Sequence, residues 1–267
     1  MKKILLLFCL IQSLNIANAQ IINIDRELNS DSILKNWQFQ VAASYSSDKQ
    51  QNNINDLNTS FEVTRFLANK YAIIAAAQVN STISGRTTIQ NEGFLHLRYR
   101  DVDSRKLSPE YYTQYQWNGA WGMQSRALYG ANLRYKILDR TGFDLFTGIG
   151  LFQQYEVWNW NGVNDIALYP NHPDLITDNK LRVNNYLKLA KKVARNLDFA
   201  ITSIQQFNAI SIANNPHFRW YLIGQVNYDI SKNFKLSFNW DHVYDFKPLL
   251  PINKFYYGYS TTLNLVF

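Results

Sequence analysis

Residues 255–267 read FYYGYSTTLNLVF. Phe255, Tyr257, Tyr259, Thr261, Leu263, Leu265 and Phe267 fall on one face, and Tyr256, Gly258, Ser260, Thr262 and Asn264 on the other. A period of two is strand geometry, because successive side chains of a pleated backbone point to opposite faces. Neither face suits a soluble protein: the ringed one should not stand in water, and the hydroxyl and amide one should not enter a dry core. A closed barrel in lipid gives each face the surroundings it needs. The residues Tyr259, Leu263, Leu265 and Phe267 are read as the assembly signal that outer-membrane barrels as a class present, which implies the outer-membrane barrel assembly machinery as a partner.

The same period runs from Leu34 onward. It predicts strands at about 35–46, 56–67, 71–81, 90–101, 109–118, 123–137, 143–156, 180–191, 196–208, 216–229, 233–245 and 254–267, an even set of about twelve. The segment LKLAKKVARNL, residues 187–197, comes nearest to a helical period, and it also fits a strand and a turn. In the fourth strand Leu95, Leu97 and Tyr99 oppose Glu92, His96, Arg98 and Arg100. In the sixth Ala127, Tyr129, Leu133 and Tyr135 oppose Arg126, Gly130, Asn132, Arg134 and Lys136. A soluble β-sandwich would have to bury such charged rows in a dry core, so the pattern favours an all-β, transmembrane, antiparallel up-and-down barrel.

The connections carry a second signal. ANK, LDRTG, VARN and DISKN are short, whereas SDKQQNNIND, STISGRTT, NGAWG, the stretch 157–179, NAISIANNP and KPLLPIN read as longer polar loops. Short turns at one end and long loops at the other, with both termini on the short side, predict periplasmic turns and extracellular loops.

The chain opens MKKILLLFCLIQSLNIANAQ, two lysines before an apolar run that closes on Ala17-Asn18-Ala19. That pattern predicts a signal peptide over 1–19, a periplasmic segment over 20–33 and a barrel domain over 34–267. The single Cys lies at position 9, so a mature chain starting at Gln20 has no disulfide and no thiolate chemistry. Subtracting Lys2 and Lys3 takes the formal charge of +7 to +5, and the remaining basic residues are scattered, which argues against nucleic acid as a partner. Aromatic residues make up 15% of the chain. Two interfacial girdles are the place for them: Trp37, Tyr71, Tyr99, Tyr135, Tyr228 and Phe267 near the short turns, and Tyr45, Trp117, Trp220, Tyr244 and Tyr257 near the long loops.

The stretch YYTQYQWNGAWGMQSRALYGANLRYKI, residues 111–137, resembles the family of salt-induced outer-membrane proteins. An aromatic strand, a short polar loop, Arg126 leading into Tyr129-Gly130, and a closing Leu133-Arg134-Tyr135 carry the likeness, which is clearest over residues 90–155. Where members often show a second glycine this chain has Asn132. The resemblance implies an exported outer-membrane barrel and no established activity.

Inside the predicted barrel, Glu62, Glu92, Glu110, His96, Arg98, Arg100, Arg126, Arg134, Arg182 and Lys188 form a lumen network. Its mixed charge and long side chains predict a largely filled interior with at most a narrow polar channel. No cofactor or metal is expected. Asp165, Asp174 and Asp178 with His172 lack EF-hand spacing and read as a solvated loop. Trp158 and Trp160 in that loop are candidates to meet a sugar or a protein partner, or to fold back on the rim. A lipid-modifying enzyme needs a base, a nucleophile and an orienting group together. His242 is the one histidine placed outward near the outer interface, Asp241 points away from it, and no serine stands at a two-residue offset from it on its strand. The expectation is a non-enzymatic structural or partner-binding barrel surrounded by outer-membrane lipid and lipopolysaccharide, with a channel for small hydrophilic solutes as the alternative and an outer-membrane lipid-modifying enzyme as the second.

Overall fold

The computed structural model describes residues 37–49, 53–67, 71–101, 106–209 and 217–266. The predicted signal peptide, the segment 20–33 and Phe267 lie outside them. Twelve strands follow in order: β1 (Trp37–Lys49), β2 (Asn53–Leu67), β3 (Tyr71–Ser84), β4 (Thr87–Asp101), β5 (Leu107–Asn118), β6 (Met123–Arg140), β7 (Phe143–Trp158), β8 (Ile176–Ala194), β9 (Leu197–Asn208), β10 (Phe218–Asp229), β11 (Phe234–Asp245) and β12 (Phe255–Val266). Each pairs antiparallel with its chain neighbours, and β1 closes on β12 through Gln40↔Val266 and Val41↔Leu265. Closure gives each strand a neighbour on both sides, as a barrel without water around it requires, and among the described residues the β1–β12 seam is paired at those two positions only.

The alternation written in the sequence becomes an inside and an outside. Leu95, Leu97, Tyr111, Tyr115, Tyr129, Leu133, Ile149 and Leu151 stand exposed on the outer face. Glu92, Arg100, Glu110, Arg126, Glu156 and Arg182 are buried within. A large apolar side chain left in water forgoes roughly 1.5–3 kcal/mol of burial, so an outer wall covered by such groups is stable only against an apolar medium. Aromatic contacts occur near both ends of that wall, which is compatible with the expected girdles. Tyr99 lies 5.5 Å from Tyr71 and 6.3 Å from Tyr111 near the short turns, and Tyr115 lies 6.1 Å from Trp117 near the long loops. The indole N–H groups of Trp117 and Trp220 donate to Asn91 and Ser203, so the polar tips of these rings are satisfied in place.

Two expectations about the loops are corrected. SDKQQNNIND and STISGRTT were expected to be long loops, yet β1 runs to Lys49, β2 starts at Asn53, and only Gly85-Arg86 separates β3 from β4. Gly85 takes φ 62° there, a left-handed turn that glycine adopts without steric cost. Strand pairing satisfies the backbone whatever the side chains are, so these polar segments extend as hairpins, with a register shift at Thr82/Ile83. Strands run 12–19 residues, with β2, β4, β6 and β8 among those longer than expected. The excess length of the long-loop end is carried, among the described residues, by 159–175 and 246–254. Residues 187–197 are strand and turn, as the period-two reading has it.

Candidate functional site

The interior of the barrel is where the sequence puts chemistry, and its densest constellation lies just inside the long-loop end. Arg126 of β6, Glu156 of β7, Arg219 of β10 and Asp245 of β11 all sit within a few residues of that end of their strands. Arg219 grips Glu156 with two bonds, Nη1 to Oε1 at 2.7 Å and Nη2 to Oε2 at 3.3 Å, while its Nε donates to Asp245 Oδ2 at 2.6 Å. Arg126 Nε lies 3.2 Å from Glu156 Oε1, and its Nη2 donates to Gln154 at 2.7 Å. Glu156 and Arg182 are wholly buried. A planar guanidinium with donors on two edges suits two carboxylates at once, which a lysine does not. Because β8 and β9 stand between β7 and β10, the Arg219–Glu156 pair is a chord across the lumen rather than a contact between neighbouring strands.

His217, just before β10, completes the cluster. Its Nε2 lies 2.8 Å from Asp245 Oδ1 and its Nδ1 lies 3.2 Å from Arg182 Nη2. Only the neutral tautomer with the proton on Nε2 fits both neighbours, donating to the carboxylate and accepting from the guanidinium. Burial pushes the imidazole below its ordinary value of 6.5, Asp245 opposes that shift, and the charges of Arg219 and Arg182 add to it. A depressed folded value means this contribution to stability is present above 6.5 and is lost as pH falls through the lower folded value. Histidine-selective NMR of the micellar protein is expected to show His217 as the Nε2–H tautomer at neutral pH, titrating below 6.5. Arg182→Gln is expected to move that titration upward.

Above the charges lies an apolar lid. Met123, Trp158, Val163 and Leu250 are buried together, with Trp121, Trp160, Ile176, Leu249 and Ile252 packed on them. Trp121, in the 3-10 turn Gly119–Trp121, reaches across the mouth to Tyr221 and Val243 and packs 4.3 Å from the ring of Tyr256. Between lid and charges is a cavity of about 40 Å³, room for no more than about three water molecules.

The expected network residues occupy several levels. Glu92 accepts from Asn80 at 3.0 Å and Asn118 at 2.7 Å, and His96 meets Gln114 at 3.0 Å with its ring over Tyr112. Glu110 takes the Tyr186 hydroxyl at 3.2 Å, a second chord from β8 to β5, and lies 3.9 Å from Arg134. A Cβ on Gly148 would meet the Tyr186 ring at 2.2 Å, so that ring crosses the lumen only over a glycine. Arg98, Arg100 and Lys188 line the same packed wall, with Arg100 and Lys188 buried. Glu62 stands apart on the opposite wall, where the inward positions Asn58, Ser60, Ala76, Ser260 and Thr262 are small and half-buried. Toward the short turns that side is filled by Phe66, Ala72, Ile74 and Phe94.

Of the assembly-signal residues, Tyr259, Leu263 and Leu265 have the outward register of β12, and Phe267 is outside the described residues. Trp158 folds into the lid, and Trp160 donates to the Pro173 carbonyl and packs 4.5 Å from His172. Asp178 pairs with Lys180 at 2.7 Å, and among the described residues no His, Cys, Asp and Glu group converges in the manner of a metal site. His242 sits among the rings of Phe255, Tyr257 and Tyr259 on the outer face.

Sequence reasoning missed Glu156, Arg219, Asp245 and His217 as network members. A signal was present for all four, since strand alternation puts 156, 219 and 245 in the inward register and the strand predicted over 216–229 gives His217 the register of Arg219, although β10 itself begins at Phe218.

No family model matches the chain, and no curated protein matches it. Among solved structures it is similar to the translocator domain of the autotransporter NalP from Neisseria meningitidis, at 10% identity and TM-score 0.47, covering 89% of this chain and 91% of that one. It is also similar to the KdgM porin, at 9% identity and TM-score 0.43 over 86% and 99% of the two chains. A third similar structure is the CymD monoaromatic hydrocarbon channel, at 8% identity and TM-score 0.38 over 90% and 93%.

Proposed function

We propose that this chain is an integral outer-membrane β-barrel, plugged by its own side chains, that serves as a structural or partner-binding barrel at the cell surface and has no enzymatic role. The observation that carries the reading is the Arg219–Glu156 chord from β10 to β7, sealed above by the lid. The apolar outer wall supports the membrane setting, with outer-membrane lipid and lipopolysaccharide as its surroundings. The signal-peptide pattern of 1–19 supports export, and 20–33 then lies in the periplasm. The resemblance of residues 90–155 to salt-induced outer-membrane proteins agrees with that location. The loop expected over 157–179, which the strands cut back to 159–175, offers the exposed Ile166 and Leu168 to a protein partner.

The half-buried strip of small residues on β2, β3 and β12 favours a second reading, a narrow channel for small hydrophilic solutes. Swelling of proteoliposomes separates the two. In arabinose the plugged barrel swells no faster than protein-free vesicles, whereas a narrow channel admits arabinose and excludes stachyose.

The assembly signal gives a separate expectation. Deleting Phe267 lowers the fraction of heat-modifiable, membrane-inserted protein severalfold in cells, while the little that inserts retains the folded gel mobility. Undiminished insertion would remove Phe267 from that role.

A further inference from the structure

We propose that the long-loop rim carries a binding pocket for neutral saccharides. A cavity of about 520 Å³ opens between the turn at 119–121, the loop at 162–169 and the start of β12, within the roughly 300–1,000 Å³ of small-ligand sites. Its lining falls into two chemical sets. The rings of Trp121 and Tyr256, 4.3 Å apart and tilted by 32°, form an apolar back wall, and Tyr169 flanks it, braced 5.3 Å from Trp160. Asn164, Asp165 and Asn253 supply amide and carboxylate groups at exposed positions. Asp165 starts the 3-10 turn Ile166–Leu168 without making the side-chain bond that usually caps such a turn, so its carboxylate is not committed to the backbone.

A pyranose presents the same two sets, a C–H face that buries against aromatic rings and a rim of hydroxyls that pair with amides and a carboxylate. No lysine or arginine lines the cavity, which disfavours phosphate and acidic sugars, and a pure hydrocarbon would make no use of the three exposed polar groups. The inference rests on the outer-membrane reading only in placing this rim outside the cell. It is independent of whether the lumen conducts.

The test uses the full-length mature protein in detergent micelles. An array of neutral and acidic oligosaccharides is probed first, and the best neutral binder is then titrated calorimetrically, free and as the glycan of lipopolysaccharide in vesicles. The expected result is binding of neutral sugars that falls at least about tenfold in both Asp165→Asn and Tyr169→Ala. These side chains are exposed and outside the strands, so barrel folding serves as the control. The free or lipid-linked form that binds identifies the source of the sugar. Absence of binding, a preference for acidic sugars, or binding that both variants leave unchanged overturns the pocket. Swelling assays on the same preparation report separately on the plugged-barrel reading.

Discussion

Replacing Arg219 by methionine is expected to destabilise the barrel by about 3 kcal/mol, read as a lowered urea midpoint in lipid vesicles. The magnitude follows from what remains. Glu156 is wholly buried and Asp245 nearly so, and Arg219 holds both with bonds of 2.6–2.7 Å. Removing a cation from two buried carboxylates costs more than the pair contributes when intact, because the charges stay desolvated without compensation. Arg126 still lies 3.2 Å from Glu156 and softens the loss, whereas Asp245 keeps only His217 and the Lys247 backbone N–H. Combining Arg219→Met with Asp245→Asn is therefore expected to cost less than the sum of the two single changes. A midpoint within about 0.5 kcal/mol of the parent, the level of an ordinary surface substitution, would show that the cluster does not brace the fold.

The second large effect is expected on permeability. Replacing residues 159–175 with a short Gly-Ser connection removes Val163 and Trp160 from the lid and takes away part of the wall around Trp158 and Leu250. The strands β7 and β8 keep their ladder from Phe143↔Lys191 to Trp158↔Ile176, so the barrel should remain closed. With Arg219→Met added, both seals at the mouth are weakened. Arabinose-driven swelling of proteoliposomes is then expected to rise at least tenfold above the parent. An intact, heat-modifiable barrel that stays impermeable would place the barrier elsewhere, at Tyr186–Glu110 or at the Phe66–Phe94 cluster.

Much of this architecture is legible in the chain. Period-two alternation is a local property, so each strand and its inward set, such as Glu92, His96, Arg98 and Arg100 on β4, can be read without knowing its neighbours. Loop length is less legible. Asn, Asp and Ser raise the odds of a loop, but the hairpins β1–β2 and β3–β4 satisfy their backbones by pairing and continue through such residues. What the sequence hides is partnership across the lumen. Arg219 and Glu156 are 63 residues apart, on strands that are not paired, and no periodicity states which inward residue faces which. The lid is hidden for the same reason: Trp121 and Leu250 come from two connections and Trp158 from the end of β7, and they meet only once the barrel has closed.

The central claim is that the molecule's own side chains plug the barrel. Single-channel recording in a planar lipid bilayer, with folded parent protein inserted at neutral pH, tests it most directly. The plugged barrel predicts a membrane that takes up protein and shows no stable conductance steps, whereas uniform, long-lived steps from the unmodified protein would contradict it.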